Sequence, residues 1–221
     1  MIAVTPRQAM DWFQGLADPY ACYLLIRHSH KASGPDKLIT ISEHGRQLCQ
    51  RVRRDYQELA FQLQDIFGGT TFLHSERPRT LATLWEIFYP DQVHLLPQLT
   101  LRVGLSKIDQ GHWLEAQLAG GHSLNEIFQT LHGEMALLED QPYAQAMARM
   151  AMFFSLGSRD WPGRLFIGVG HEPEPTLWVL KNELLPLKEV GLAECQAYLV
   201  ATDQQGGILG VCKFAPEATT K

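Results

Sequence analysis

The apolar run Tyr23-Leu24-Leu25-Ile26 ends abruptly in Arg27-His28, and a polar stretch through Gly34-Pro35-Asp36 follows. A short unbroken hydrophobic run bounded by turn residues predicts a strand covered on both faces, unlike the alternating pattern of a half-exposed strand. Such strands belong to parallel α/β sheets, in which ligands sit beyond the carboxyl ends of the strands. Arg27 and His28 fall at that place. A guanidinium fork suits an oxyanion, and a neutral imidazole can act as a nucleophile.

The rest of the chain repeats the alternation. Strands are predicted over residues 22–27, 70–73, 93–96 and 164–169, and residues 195–201 and 208–214 flank a hairpin signal at Asp203-Gln204-Gln205-Gly206-Gly207. A first helix over 6–17 starts with Thr5 as cap and Pro6 at its first position. The pattern Thr40-Ile41-Ser42-Glu43 reads as a capping box opening a long helix. Its apolar stripe runs Leu48, Val52, Tyr56, Leu59, Leu63 and Ile66, and Gly68-Gly69 stops it. Arg46, Arg51, Arg53 and Arg54 lie mostly off that stripe, as on a solvated face. Further helices carry Leu81, Leu84, Trp85 and Phe88, then residues 141–156, then Leu177 and Leu180. Alternating strands and helices predict one α/β domain over residues 1–221. The expected form is a three-layer sandwich with a mostly parallel central sheet, helices on both faces, and a C-terminal hairpin or antiparallel edge. Residues 97–125, with four glycines, read as an irregular, substrate-covering insertion.

Charge and cysteine usage narrow the partners. The formal net charge is −5 over 221 residues, which argues against a nucleic-acid or anionic-membrane partner. Any anionic substrate must be held by a local cationic cluster. The four cysteines (Cys22, Cys49, Cys195 and Cys212) form no CxxC pair, and Cys22 and Cys195 lie in apolar segments, as expected in a reducing compartment. No stretch approaches the ~18–20 apolar residues of a membrane span. Residues 1–16 include Arg7 and Asp11 and lack a signal-peptide core. The expected location is cytoplasmic. Oligomeric state leaves no trace in the sequence.

Three apolar strands end in the same kind of chemistry: Arg27 and His28 after the first, Ser75 and Arg79 after the second, His171 after the fourth. If the strands are parallel, these groups share one sheet edge. Two arginines can neutralise a phosphoryl group with forked hydrogen bonds. One imidazole can attack phosphorus while the other donates to the equatorial oxygens.

With Leu25-Ile26-Arg27-His28-Ser29, Ile39-Thr40…Gly45-Arg46, Ser75…Arg79…Thr83 and Val169-Gly170-His171 in this order, the chain resembles the histidine phosphatase superfamily, also called phosphoglycerate mutase-like, over roughly residues 22–200. The resemblance implies a phosphatase acting on a phosphomonoester or phosphohistidine. His28 would be transiently phosphorylated, and Arg27, Arg79 and His171 would hold the phosphate. It implies no metal and no organic cofactor, and a phosphorylated small molecule or phosphoprotein as substrate. Ser29 replaces the family's usual glycine, and its hydroxyl is expected to be tolerated or to contact phosphate. The proton donor stays open between Glu172, Asp109, Glu115 and no positioned acid, since a good leaving group needs little protonation. Glu172 beside His171 occupies the place where one branch carries an aspartate donor.

Two other readings remain. His28-Ser29-His30 has the spacing that opens some zinc sites, with His171 and Asp109 as further ligands. It leaves both arginines unexplained. Alternatively, the fold persists as a catalytically impaired phosphate-ligand sensor or interaction module.

Overall fold

A computed structural model of the chain describes residues 1–33, 40–95, 141–172 and 174–219, together with 117, 119–123, 126–127 and 129–130. The predicted insertion at 97–125 lies for the most part outside the described residues, as do Asp109 and Glu115. The elements in order are β1 (Ile2–Ala3), α1 (Pro6–Gln14), β2 (Ala21–Arg27), α2 (Glu43–Gln64), β3 (Thr70–His74), α3 (Pro78–Phe88), β4 (His94–Leu95), α4 (Gln141–Asp160), β5 (Leu165–Gly170), α5 (Glu174–Lys181), β6 (Ala197–Thr202) and β7 (Ile208–Phe214).

Among the described residues these strands form a seven-stranded sheet in the order β1-β7-β6-β2-β5-β3-β4. β6 runs antiparallel to both β2 and β7, and the other pairings are parallel. The C-terminal hairpin therefore exists but lies inside the sheet. The two-residue β1 pairs with β7 and covers its outer side, an element too short to leave a periodic signal.

The sheet is buried on both faces, and β2 shows how. Cys22, Leu24 and Ile26 enter a core with α1, α2 and α3, while Ala21, Tyr23 and Leu25 enter a second core with α4 and α5. Helices on both sides of one sheet give the three layers. Tyr23, wholly buried, stacks on Phe166 with ring centroids 4.7 Å apart, and its hydroxyl donates to the Phe154 carbonyl at 2.9 Å. A buried phenol needs such an acceptor.

Several local expectations shift. α2 starts at Ser42, whose hydroxyl accepts from Gly45 N at 3.0 Å, and not at Thr40. The cause is tertiary: Lys31 and Ile41 form a bridge, and His30 Nδ1 lies 2.8 Å from Ser42 Oγ, so the cap is set by the loop after β2. The α2 stripe is buried at Leu48, Val52, Tyr56, Leu59 and Leu63, but Ile66 falls beyond the helix and is exposed, with Phe67 buried in its place. Arg53 is only partly exposed. It donates to the Glu86 carbonyl at 2.8 Å and lies over the Tyr89 ring at 4.6 Å, tying α2 to α3. Trp85 and Trp161 are exposed. All four cysteines are free and buried. Among the described residues no helix is long and apolar enough to cross a membrane.

Candidate functional site

β2 and β3 flank β5 in parallel, with Arg27 opposite Gly170 and His74 opposite Val169. The carboxyl ends of these three strands therefore lie side by side, and the side chains that follow them converge. The imidazoles of His28 and His171 meet edge to face with ring centroids 4.9 Å apart. Arg79, in the first turn of α3, reaches both: its Nε donates to His28 Nε2 at 3.2 Å, and its Nη2 lies 3.4 Å from His171 Nδ1.

These contacts fix the tautomers. A guanidinium N–H only donates, so His28 Nε2 carries a lone pair, and its proton sits on Nδ1, directed at the Ser29 carbonyl at 2.6 Å. Burial, then the neighbouring Arg79, Arg27 and Lys31, outweigh that carbonyl and pull His28 down to about 3. Burial likewise holds His171 at about 2, with His28, Arg79, Arg77 and Arg27 adding to the effect. Both rings are neutral at physiological pH.

His171 is seated by a chain of hydroxyls. Its Nε2 lies 2.8 Å from Ser75 Oγ, which lies 3.0 Å from Thr80 Oγ1, which donates to the Arg77 carbonyl at 2.7 Å. Reading the donors outward from the ring gives each oxygen one proton to give and leaves His171 Nδ1 as an acceptor facing Arg79. Thr83 joins the two halves of the site: its hydroxyl donates to the Arg79 carbonyl at 2.8 Å and accepts from Ser29 N at 3.0 Å. Thr80 was not singled out in the sequence. An i+5 threonine buried in a first helical turn is its only signal.

Ser29 is wholly buried, and its hydroxyl donates to the Gly45 carbonyl at 2.8 Å. A phosphate contact through that proton would require breaking this bond. Room for the serine comes from α2. A Cβ at Gly45 would stand 2.5 Å from the His30 carbonyl oxygen and 3.2 Å from Ser29 Oγ, so glycine is required there.

Arg27 is half-buried. Its Nη1 donates to the Leu192 carbonyl at 2.5 Å, while its Nε is buried with no hydrogen-bond partner among the described residues. Glu172 follows His171 directly, but its carboxyl is already engaged. Oε1 accepts from Thr176 Oγ1 at 2.6 Å and from Leu192 N at 3.0 Å, and Oε2 is buried with no hydrogen-bond partner among the described residues. Burial raises the Glu172 carboxyl, opposed by Arg27, the two hydrogen bonds and Lys213. Among the described residues no group of three or more histidine, cysteine or acidic side chains is arranged to hold a metal ion.

No family model matches the chain, and no curated protein matches its sequence. Solved structures do match its fold. The product of a Mycobacterium tuberculosis open reading frame is similar over 90% of this chain and 98% of its own, at 14% identity and a TM-score of 0.58. A phosphoserine phosphatase from Entamoeba histolytica, solved with 3-phosphoglyceric acid, is similar over 90% of this chain and 99% of its own, at 16% identity and a TM-score of 0.51. A phosphoglycerate mutase from Bacillus anthracis is similar over 85% of this chain and 90% of its own, at 12% identity and a TM-score of 0.50. The chain has the phosphoglycerate mutase-like fold.

Proposed function

We propose that the protein is a phosphatase that hydrolyses a phosphomonoester or phosphohistidine, on a phosphorylated small molecule or phosphoprotein, through a phosphohistidine at His28. The observation that carries this reading is the His28 Nε2 lone pair, turned into a pocket edge walled by Arg79 and His171. An arriving phosphoryl oxygen is a better acceptor for a guanidinium than an imidazole nitrogen is. Arg79 therefore transfers its hydrogen bonds to the substrate and uncovers Nε2. Nε2 attacks phosphorus, the bond to the leaving group breaks, and the leaving oxygen or nitrogen takes up a proton. Water then attacks phosphorus, the P–N bond breaks, and orthophosphate leaves with His28 neutral again. Arg27, Arg79 and His171 stabilise the transferring group. A bound dianion opposes the arginines' effect on His171 and raises its proton affinity, turning Nδ1 from acceptor into donor.

The test is trapping. The wild type should release p-nitrophenol from p-nitrophenyl phosphate and, on denaturing quench, carry an acid-labile, base-stable phosphate that His28→Ala lacks. Wild-type turnover by His28→Ala would sink the reading. Tight orthovanadate binding without turnover or labelling would favour the impaired sensor instead.

A further inference from the structure

The Glu172 carboxyl stands at the centre of a buried polar network that ends on Arg27. Thr176 Oγ1 donates to Glu172 Oε1 at 2.6 Å and lies 2.7 Å from the Tyr198 hydroxyl, which accepts from Gly191 N at 3.2 Å. Lys213, buried in an otherwise apolar strand, donates its Nζ to the Gly191 carbonyl. Glu172 Oε1 also accepts from Leu192 N, and the Leu192 carbonyl accepts from Arg27 Nη1. The segment Gly191-Leu192 is thus clamped from α5, β6 and β7, and the clamp delivers one carbonyl to one guanidinium.

Two further facts make the carboxyl more than a bystander. Glu172 Oε2 and Arg27 Nε are both buried and have no hydrogen-bond partners among the described residues, and the two side chains interact electrostatically. A buried anion beside a half-buried cation is stabilised by it, and removing one weakens the hold on the other. A proton donor, in contrast, needs an oxygen in reach of the leaving group. Neither oxygen of Glu172 is so placed: one is doubly hydrogen-bonded and the other sealed.

We propose that Glu172 is a positioning residue, not the proton donor: through Leu192 and by its charge it holds the Arg27 guanidinium at the carboxyl end of β2, in the orientation that receives the phosphoryl group. The inference rests on the phosphatase reading for what Arg27 receives, but not for how Arg27 is held.

The experiment separates the two. p-Nitrophenyl phosphate has a good leaving group and phosphoserine a poor one, so loss of a proton donor falls selectively on phosphoserine. Glu172→Gln keeps an acceptor for Thr176 and Leu192 but lacks the charge on Arg27, and should lower kcat/KM for both substrates alike, by less than Glu172→Ala does. Glu172→Ala should lower kcat/KM for both substrates alike, by about 10–100-fold, the usual scale for supports behind a directly contacting group. It should weaken orthovanadate binding by a similar factor, and should add little in an Arg27→Ala background. The Arg27 Nε–H resonance reports, without turnover, whether the guanidinium is held in place: present in wild type and Glu172→Gln, lost or broadened in Glu172→Ala. Selective loss of phosphoserine hydrolysis in Glu172→Gln would overturn the proposal in favour of a donor. So would an Arg27 signal and orthovanadate affinity unchanged in Glu172→Ala. Absence of all hydrolysis in the wild type would sink the phosphatase reading alone, since the Arg27 signal would still decide the positioning role.

Discussion

The dipeptide His-Ser occurs at the end of β2 as His28-Ser29 and at the end of β3 as His74-Ser75. Local geometry is the same in both. Each imidazole turns Nδ1 onto the carbonyl of the serine that follows, at 2.6 Å for His28 and 2.7 Å for His74. What differs is position in the sheet. His28 leaves the strand between β6 and β5, whereas His74 leaves the one between β5 and β4, and it is the His28 ring that meets Arg79 and His171. Among the described residues, His74 shows its carbonyl contact alone. The serines divide the opposite way: Ser29 faces α2 and is spent on Gly45, whereas Ser75 faces the pocket and carries His171. Sequence identity over two residues thus sets the rotamer, and topology sets the chemistry.

The largest expected effect breaks this comparison most directly. His28→Ala should lower hydrolysis of p-nitrophenyl phosphate by about a thousandfold or more, as loss of a nucleophile does, while His74→Ala should stay within about threefold of wild type. Steady-state rates decide it. Equal losses in the two variants would mean that the pocket has been assigned to the wrong strand end. Arg79→Ala should come next, at about 10²–10³-fold, the scale for removing one preorganised donor to a transition-state oxyanion.

The same contrast explains what the sequence made legible. The buried runs of β2 and β5 are nearly continuous in hydrophobicity because two helical layers cover them, and that pattern alone places Arg27, His28 and His171 on one edge. Ser75 and Arg79 followed because they sit just beyond a strand end and in a helical first turn, whereas Thr83 came only from the resemblance to a known motif. Features that depend on a distant partner were not legible. The shift of the α2 cap from Thr40 to Ser42 needs His30 and the Lys31–Ile41 bridge, which no local pattern encodes. The pairing of Arg53 with Glu86 and Tyr89 required knowing that α3 lies on α2. The clamp on Arg27 joins Glu172, Thr176, Leu192, Tyr198 and Lys213 across four segments, and only the lone lysine in an apolar strand hinted at it.

The two serines sharpen the comparison at a smaller scale. Ser75→Ala removes the acceptor for His171 Nε2, frees the ring to turn, and should cost about 10–100-fold in kcat/KM with little change in fold stability. Ser29→Ala removes a hydrogen bond outside the pocket. It should cost about 1 kcal/mol of stability in a denaturant titration and leave kcat/KM within about threefold. If Ser29→Ala instead raises KM for phosphate esters without destabilising the protein, the hydroxyl contacts phosphate after all. Ser29→Gly then serves as the second variant, because it restores the residue usual at this position of the motif.

The smallest effect concerns acid. His28 and His171, held at about 3 and about 2 in the fold, titrate near 6.5 once unfolded. Between those values the unfolded chain binds protons that the folded one refuses, so stability is complete above about pH 6.5 and declines as pH falls toward 3. Going from pH 6.5 to 5.5 should cost about 1 kcal/mol per imidazole, the linkage expected for one group titrating only in the unfolded state. His28→Asn and His171→Asn should each flatten that decline by about this amount, measured as denaturant midpoints at the two pH values. Orthovanadate should flatten it in the wild type as well, because an anion between the rings favours their protonated forms and lifts both values toward the unfolded one. An acid slope unchanged by either substitution would mean that the rings take up protons as readily in the folded protein as outside it, and the lone pair assigned to His28 Nε2 would lose its electrostatic basis.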